Sequence, residues 1–374
     1  PRHVRLQSTE DKDLWIQARA DSTGYYEASL PLGRYAIAAV DATELRLVDG
    51  PGVEVVLSAI GPVDAPLLRA IAMPNALLAA TKPEGALYHL ERANTDSLDR
   101  ILRAGMAYYK IPGMSLALIT DGKIVHQRGY GVQDADGDEP VKATTLFEAA
   151  SMTKPVFAYT VARLVERGVL AWDTPLYTYW PYEDIAYDER YKLITARMVV
   201  SHTTGFPNWR SGKLTIQFTP GTQFGYSGEG FEYLGKVVVH LTGKELIDLI
   251  GEEVFAPMGM DNAYLVWNET SYPPKAMAHT SGDLPASRQE WGAPNMAASL
   301  HVDAGTYAQF LIAVSKGLGL SQATLAEMMR PQTKIPDEPM SFGLGFALEE
   351  SPHGLLFGHG GNNNGFTSNS AFDP

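Results

Sequence analysis

Along residues 95–374 strand-like runs come at both ends and helical runs fill the middle, and this order constrains the fold more than any other feature. Residues 113–120 and 123–130 flank Asp121-Gly122, a pair that supplies the positive dihedrals of a two-residue hairpin turn. After helical spacing at 232–241, 244–254 and 304–314, strand patterning returns only at 343–349 and 355–359. Such a chain makes a large antiparallel sheet by bringing its two ends together. The expectation is therefore an α+β fold, with one antiparallel sheet flanked by helices and a helical subdomain.

The first sixty residues have a different character. Short strand runs at 4–6, 14–16, 25–28, 34–38 and 53–57 are separated by Asp21-Ser22-Thr23-Gly24, Pro31-Leu32-Gly33 and Asp49-Gly50-Pro51-Gly52, all turn chemistry. Residues 1–60 thus read as a small all-β module. Residues 61–94, with Pro62, Pro66, Pro74 and Pro83, read as a linker, and a helix is expected over 96–109 with Thr95 as its cap.

Composition narrows the function classes. A formal net charge of -13 without a basic run offers no counterion-releasing face to nucleic acid or anionic membranes. No stretch approaches the eighteen or so apolar residues of a transmembrane helix. The absence of cysteine excludes disulfides, Cys-ligated zinc and thiol catalysis together. Histidine spacing offers no metal motif, and no cofactor is expected. The compartment and the oligomeric state stay open, with a periplasmic or secreted location placed slightly ahead of the cytoplasm.

Ser151-Met152-Thr153-Lys154 carries the chemistry. Three residues apart on a helix, a lysine amine reaches a serine hydroxyl without any long-range coincidence. A serine is a poor nucleophile until a neighbour removes its proton, and Lys154 and Tyr226 are the candidates. Lysine titrates near about 10.4 and tyrosine near about 10, so either needs a downward shift of about three units to act as base at pH 7. The pair is assigned that role jointly. His359-Gly360-Gly361 ends a strand, and its glycines let the backbone approach a substrate, pairing the N–H groups of Asn362 and Ser151 as an oxyanion hole. His359 is expected beside the Tyr226 hydroxyl, tuning it or binding a substrate carboxylate.

Ser151-Met-Thr-Lys154, Tyr226-Ser-Gly228 and His359-Gly-Gly361, in that order, resemble the serine hydrolases that include class C β-lactamases, penicillin-binding DD-peptidases, D-aminopeptidases and related esterases. Residues 201–206 and 255–260 also look like this family, and the N-terminal pattern resembles a carboxypeptidase-regulatory-like β-sandwich. The resemblance implies a β-lactamase/penicillin-binding-protein-like domain over residues 95–374. It implies catalytic roles for Ser151, Lys154, Tyr226 and His359, and a binding role for Gly228, Gly361 and Asn362.

Two departures from the family bear on the substrate. Gly228 stands where penicillin-recognising members carry an asparagine that contacts the substrate amide, and His359 opens the third motif in place of lysine. Both point away from a dedicated β-lactamase, toward small esters or amides, D-amino-acid peptides among them. A catalytically silent binding protein and a true β-lactamase are the competing readings. Because the family's sheet continues after the third motif, a C-terminal strand and helix are expected beyond residue 374, or another segment in their place. An aromatic group at Tyr177, Tyr179, Trp180, Tyr182, Tyr187, Tyr191 and Trp209 is a candidate cleft wall.

Overall fold

The computed structural model of the protein describes residues 3–8, 15–19, 26–30, 35–40, 68–72 and 95–373, apart from 269–271, 280–290, 337, 339, 352 and 353. The chain divides into two compact units, Pro1–His89 and Leu90–Pro374. In the first, β1 (His3–Ser8) pairs antiparallel with β2 (Trp15–Arg19) and with β4 (Tyr35–Val40), while β3 (Tyr26–Leu30) pairs parallel with β5 (Leu68–Ala72). β5 lies within the segment read as a linker, so part of that segment belongs to a sheet. The strand expected at 53–57 falls outside the described residues.

The second unit opens with α1 (Thr95–Tyr109) and the hairpin of β6 (Gly113–Thr120) and β7 (Lys123–Gly131). Asp121 and Gly122 take the positive φ values, 49° and 67°, that the tight turn needs. Next come β8 (Phe147–Ala150) and α2 (Thr153–Glu166). Three 3₁₀ turns lead to α3 (Ala196–Val200), and a long loop then leads to α4 (Glu229–Thr242). α5 (Leu246–Ile250) runs through a π turn into α6 (Ala256–Met258). β9 (Ala263–Tyr264) and β10 (Leu300–Val302) join β8 in a small sheet of order β8-β10-β9. α7 (Ala304–Ser315) and α8 (Gln322–Met328) precede β11 (Thr333–Lys334), β12 (Met340–Phe342), β13 (Ala347–Ser351), β14 (Gly354–Asn363) and β15 (Phe366–Phe372), which form a sheet in sequence order.

The single sheet expected from both ends is therefore divided. Among the described residues β6-β7 and β11 to β15 are hydrogen-bonded as separate sheets, with no ladder between them. The strand expected over 343–349 is also displaced. Gly343 to Phe346 form the turn between β12 and β13, because Gly345 has φ 91° and lies so close to α2 that a Cβ there would meet Ala158 Cβ at 2.2 Å.

α2 is the centre of the core. Val156, Phe157, Val161 and Leu164 are fully buried beside Phe231 and Val237 of α4 and Ile250 of α5. Burial of each such side chain contributes roughly 1.5–3 kcal/mol. A helix covered on nearly every side cannot be amphipathic in use, so the run after Ser151 is a central element rather than a surface one. That burial shapes the chemistry at its first turn. Among the described residues no helix is long and apolar enough to cross a membrane.

Candidate active site

Ser151 sits in the turn between β8 and α2. The preceding Ala150 has φ 50°, a left-handed conformation that costs a non-glycine residue of order 1–3 kcal/mol and redirects the chain at the serine. Ser151 does not cap α2: the N-cap is Met152, with no side-chain cap bond. Thr153 secures the turn instead, donating from Oγ1 to Ala150 O at 2.6 Å while accepting from Leu300 N of β10 at 2.9 Å.

Lys154 points back at Ser151, with Nζ 3.1 Å from Oγ, and donates to Ala297 O at 2.8 Å. Its side chain is wholly buried, and Nζ lies 4.7 Å from the ring centroid of Tyr226 and 5.5 Å from that of Phe231. Loss of hydration pushes its pKa down from 10.5 to about 7, against a smaller opposing pull from Glu232. That shift is a bias of about 5 kcal/mol toward the neutral amine.

Tyr226, on the loop before α4, brings its hydroxyl beside the Ser151 side chain. Here burial acts in the other direction and raises the phenol to about 12, only partly offset by the neighbouring Ser151 hydroxyl. The two candidates for base therefore do not hold a proton alike: the phenol keeps its own, and the amine, at about 7, is the group that can be without one near neutrality.

His359 lies within β14 rather than at its end, with its ring centroid 6.1 Å from that of Tyr226. Its Nδ1 donates to Gly360 O at 2.5 Å, and burial followed by the Lys154 charge lowers its pKa to about 3. The two rings are neighbours, and among the described residues His359 Nε2 is buried without a hydrogen-bond partner, so no bond to the Tyr226 hydroxyl is formed.

The glycines after His359 differ. A Cβ on Gly361 would stand 2.3 Å from Ala149 O and 3.1 Å from Ala150 Cβ, whereas at Gly360 the nearest atom is 3.8 Å away. Gly361 thus allows β14 to press against the end of β8, where Ser368 Oγ also donates to Ala149 O at 2.7 Å. Asn363 and Phe366 close the Asn364-Gly365 turn, and bonded and non-bonded pairs alternate along the hairpin from there. The Asn362 N–H consequently points off the β14-β15 ladder, along the edge that β13 leaves free beyond Gly358.

Gly228 is the N-cap of α4 and is bonded through its N–H to Asn208. Trp209 fills the space above it: a Cβ at Gly228 would come within 2.6 Å of the indole. Of the aromatic group, Trp209 is exposed at the surface, but Tyr182 is in the core, stacked on Tyr233 with centroids 4.4 Å apart and bonded by Arg210. Tyr182 is therefore no cleft wall.

Sequence reasoning passed over two partners. Ala297 O, which anchors Lys154, is a main-chain group and leaves no residue signature. Glu148, one strand position behind the pre-nucleophile alanines, is buried with Lys275 Nζ at 2.8 Å and Asn363 Nδ2 at 2.8 Å. It ties β8 to the end of β14, and the signal available was a charged residue inside an apolar strand.

Comparison with known proteins places this arrangement. Residues 98–374 match the family model described as Beta-lactamase. Esterase EstB of Burkholderia gladioli is 27% identical over 194 residues, covering 44% of this chain and 49% of that protein. Protein flp of Staphylococcus aureus strain MW2 is 24% identical over 205 residues, covering 50% of this chain and 41% of flp. The matches thus span about half or less of the length of these relatives. The octameric penicillin-binding protein homologue from Pyrococcus abyssi shares the fold at a TM-score of 0.66 and 21% identity, over 74% of this chain and 70% of that one. D-alanine carboxypeptidase AmpC from Burkholderia cenocepacia does so at 0.63 and 20%, over 74% and 89%.

Proposed function

The chain belongs to the beta-lactamase family, and from that premise and the geometry of its site we propose that it hydrolyses small carboxylic esters through an acyl-enzyme on Ser151. The observation that carries this reading is a wholly buried amine 3.1 Å from the serine oxygen, its pKa lowered by burial to about 7 so that it can accept a proton near neutrality. Lys154 takes the Ser151 proton as Oγ bonds to the ester carbonyl carbon. The N–H groups of Ser151 and Asn362 meet the oxyanion that forms, a contribution typically worth about 3–4 kcal/mol per donor in the transition state. When the tetrahedral species collapses, the leaving alkoxide takes a proton from the Tyr226 hydroxyl, which recovers one from Lys154. Water then attacks the acyl carbon and gives a proton to the same amine; as the bond from that carbon to Oγ breaks, Lys154 passes the proton to Oγ, which restores Ser151 and releases the acid.

Esters are preferred over peptides for a local reason. The flank of the site two residues beyond Tyr226 presents the Trp209 indole above a bare glycine, and the side-chain oxygen of the neighbouring Asn208 is taken up by the Gly228 N–H, so the face offered to a substrate here is largely apolar. The esterase among its relatives supports the same choice.

The test is covalent labelling with a fluorophosphonate, followed by turnover of p-nitrophenyl butyrate, D-alanine p-nitroanilide, a D-Ala-D-Ala peptide and a chromogenic cephalosporin. Labelling is expected in the wild type and absent in Ser151→Ala, with the ester turned over fastest. An unlabelled wild type would establish a binding protein instead, and faster cleavage of the cephalosporin a β-lactamase.

A further inference from the structure

The loop that carries Tyr226 has no regular secondary structure to hold it, yet the reading above requires its hydroxyl to stay on Ser151. His202, between α3 and that loop, grips it by three separate means. Its ring is stacked on Tyr226, with centroids 4.2 Å apart and planes 27° from parallel. Its Nδ1 accepts the Ser227 N–H at 3.1 Å, on the residue after Tyr226. Its carbonyl accepts the Gly225 N–H at 2.8 Å, on the residue before.

The residue is itself fixed. Its φ of 58° is left-handed, which turns carbonyl and side chain toward the same stretch of loop. Phe342 packs edge-on against the ring at 4.8 Å, and Phe231 lies 5.5 Å away. The imidazole is fully buried. A nitrogen that accepts from a main-chain N–H carries no proton, so the ring is neutral as it sits. Burial comes first, and any positive charge on neighbouring Lys154 or His359 acts in the same direction, so its pKa is held well below 6.5. A neutral ring puts no second cation beside the amine that must accept a proton.

We propose that His202 is the positioning residue for Tyr226: it holds the phenol against Ser151 by stacking on its ring and binding the main chain on both sides of it. The proposal rests on the ester-hydrolase reading and deepens it. Asparagine at 202 tolerates the left-handed backbone and keeps an acceptor at the place of Nδ1, but removes the stacked ring. Phenylalanine does the converse.

A double-mutant cycle with p-nitrophenyl butyrate decides the matter, using the full chain with melting curves for each variant. His202→Asn is expected to lower kcat roughly ten- to a hundredfold, as small misplacements do, with KM little changed. In a Tyr226→Phe background the same substitution should cost less than about twofold, because a residue that acts through the phenol has nothing left to position. An equal loss in both backgrounds, or no loss in either, overturns the proposal. Should the asparagine variant not fold, His202→Phe makes the same comparison. Fluorophosphonate labelling of Ser151 in the same samples separates this failure from that of the underlying reading: labelling with equal losses sinks the role of His202 alone, and no labelling sinks both.

Discussion

Lys154 at the start of α2 and Tyr226 on the loop before α4 flank the same serine oxygen and are both withdrawn from water, yet burial moves them apart. It lowers the amine to about 7 and raises the phenol to about 12. Desolvation penalises whichever form is charged, so it loosens the proton on a lysine and tightens the one on a tyrosine. Two groups that titrate almost together in water are thereby set far apart, as the proposed base and acid require. The separation comes from depth in the core, and for Lys154 the depth comes from α2 being covered on nearly every side.

The largest effect that would break this comparison belongs to the lysine. Lys154→Met, close in volume and without the amine, is expected to cut kcat/KM by about 10²–10⁴, the usual worth of a general base. The same variant checks the burial. Between about 7 and 10.5 the unfolded chain holds a proton on Lys154 that the folded chain lacks, so wild-type stability rises with pH through that window. Denaturant titrations at several pH values should show the rise in the wild type and its loss in Lys154→Met.

Tyr226→Phe sharpens the contrast, with a smaller fall of about 10²-fold expected for a proton donor to the leaving group. The acid limb of the pH–rate profile should stay near 7, since that limb belongs to the amine. Smaller again is a pair of glycine substitutions on β14. Gly361→Ala drives a methyl into Ala149 O and should cost about 1–3 kcal/mol of stability, as overpacking does. Gly360→Ala, with no atom nearer than 3.8 Å to its Cβ, should melt close to the wild type.

Much of this site could be read from the chain alone because its parts are local. The reach of Lys154 to Ser151 follows from helical spacing, and the hairpin at Asp121-Gly122 from turn chemistry. Tyr226 and His359 were found by the order of motifs, which fixes residues but not protonation. What could not be read depends on contacts far apart in sequence. The lowered pKa of Lys154 requires the burial that Phe231 of α4 and the rest of the core complete around it; the grip of His202 on Tyr226 requires stacking across 24 positions of numbering. The need for glycine at 361 arises only where β14 meets β8. The same holds for the fold: Gly345 reads as part of a strand until its closeness to Ala158 turns the chain there.

The pH dependence of the rate at which a fluorophosphonate labels Ser151 tests the central claim most directly, because it reports acylation without a leaving alcohol or a second step. The account predicts a rate that climbs with pH to a plateau, with a midpoint near 7 set by Lys154, and loss of that step in Lys154→Met. A midpoint near 10, or the same step with methionine in place of the lysine, would contradict it.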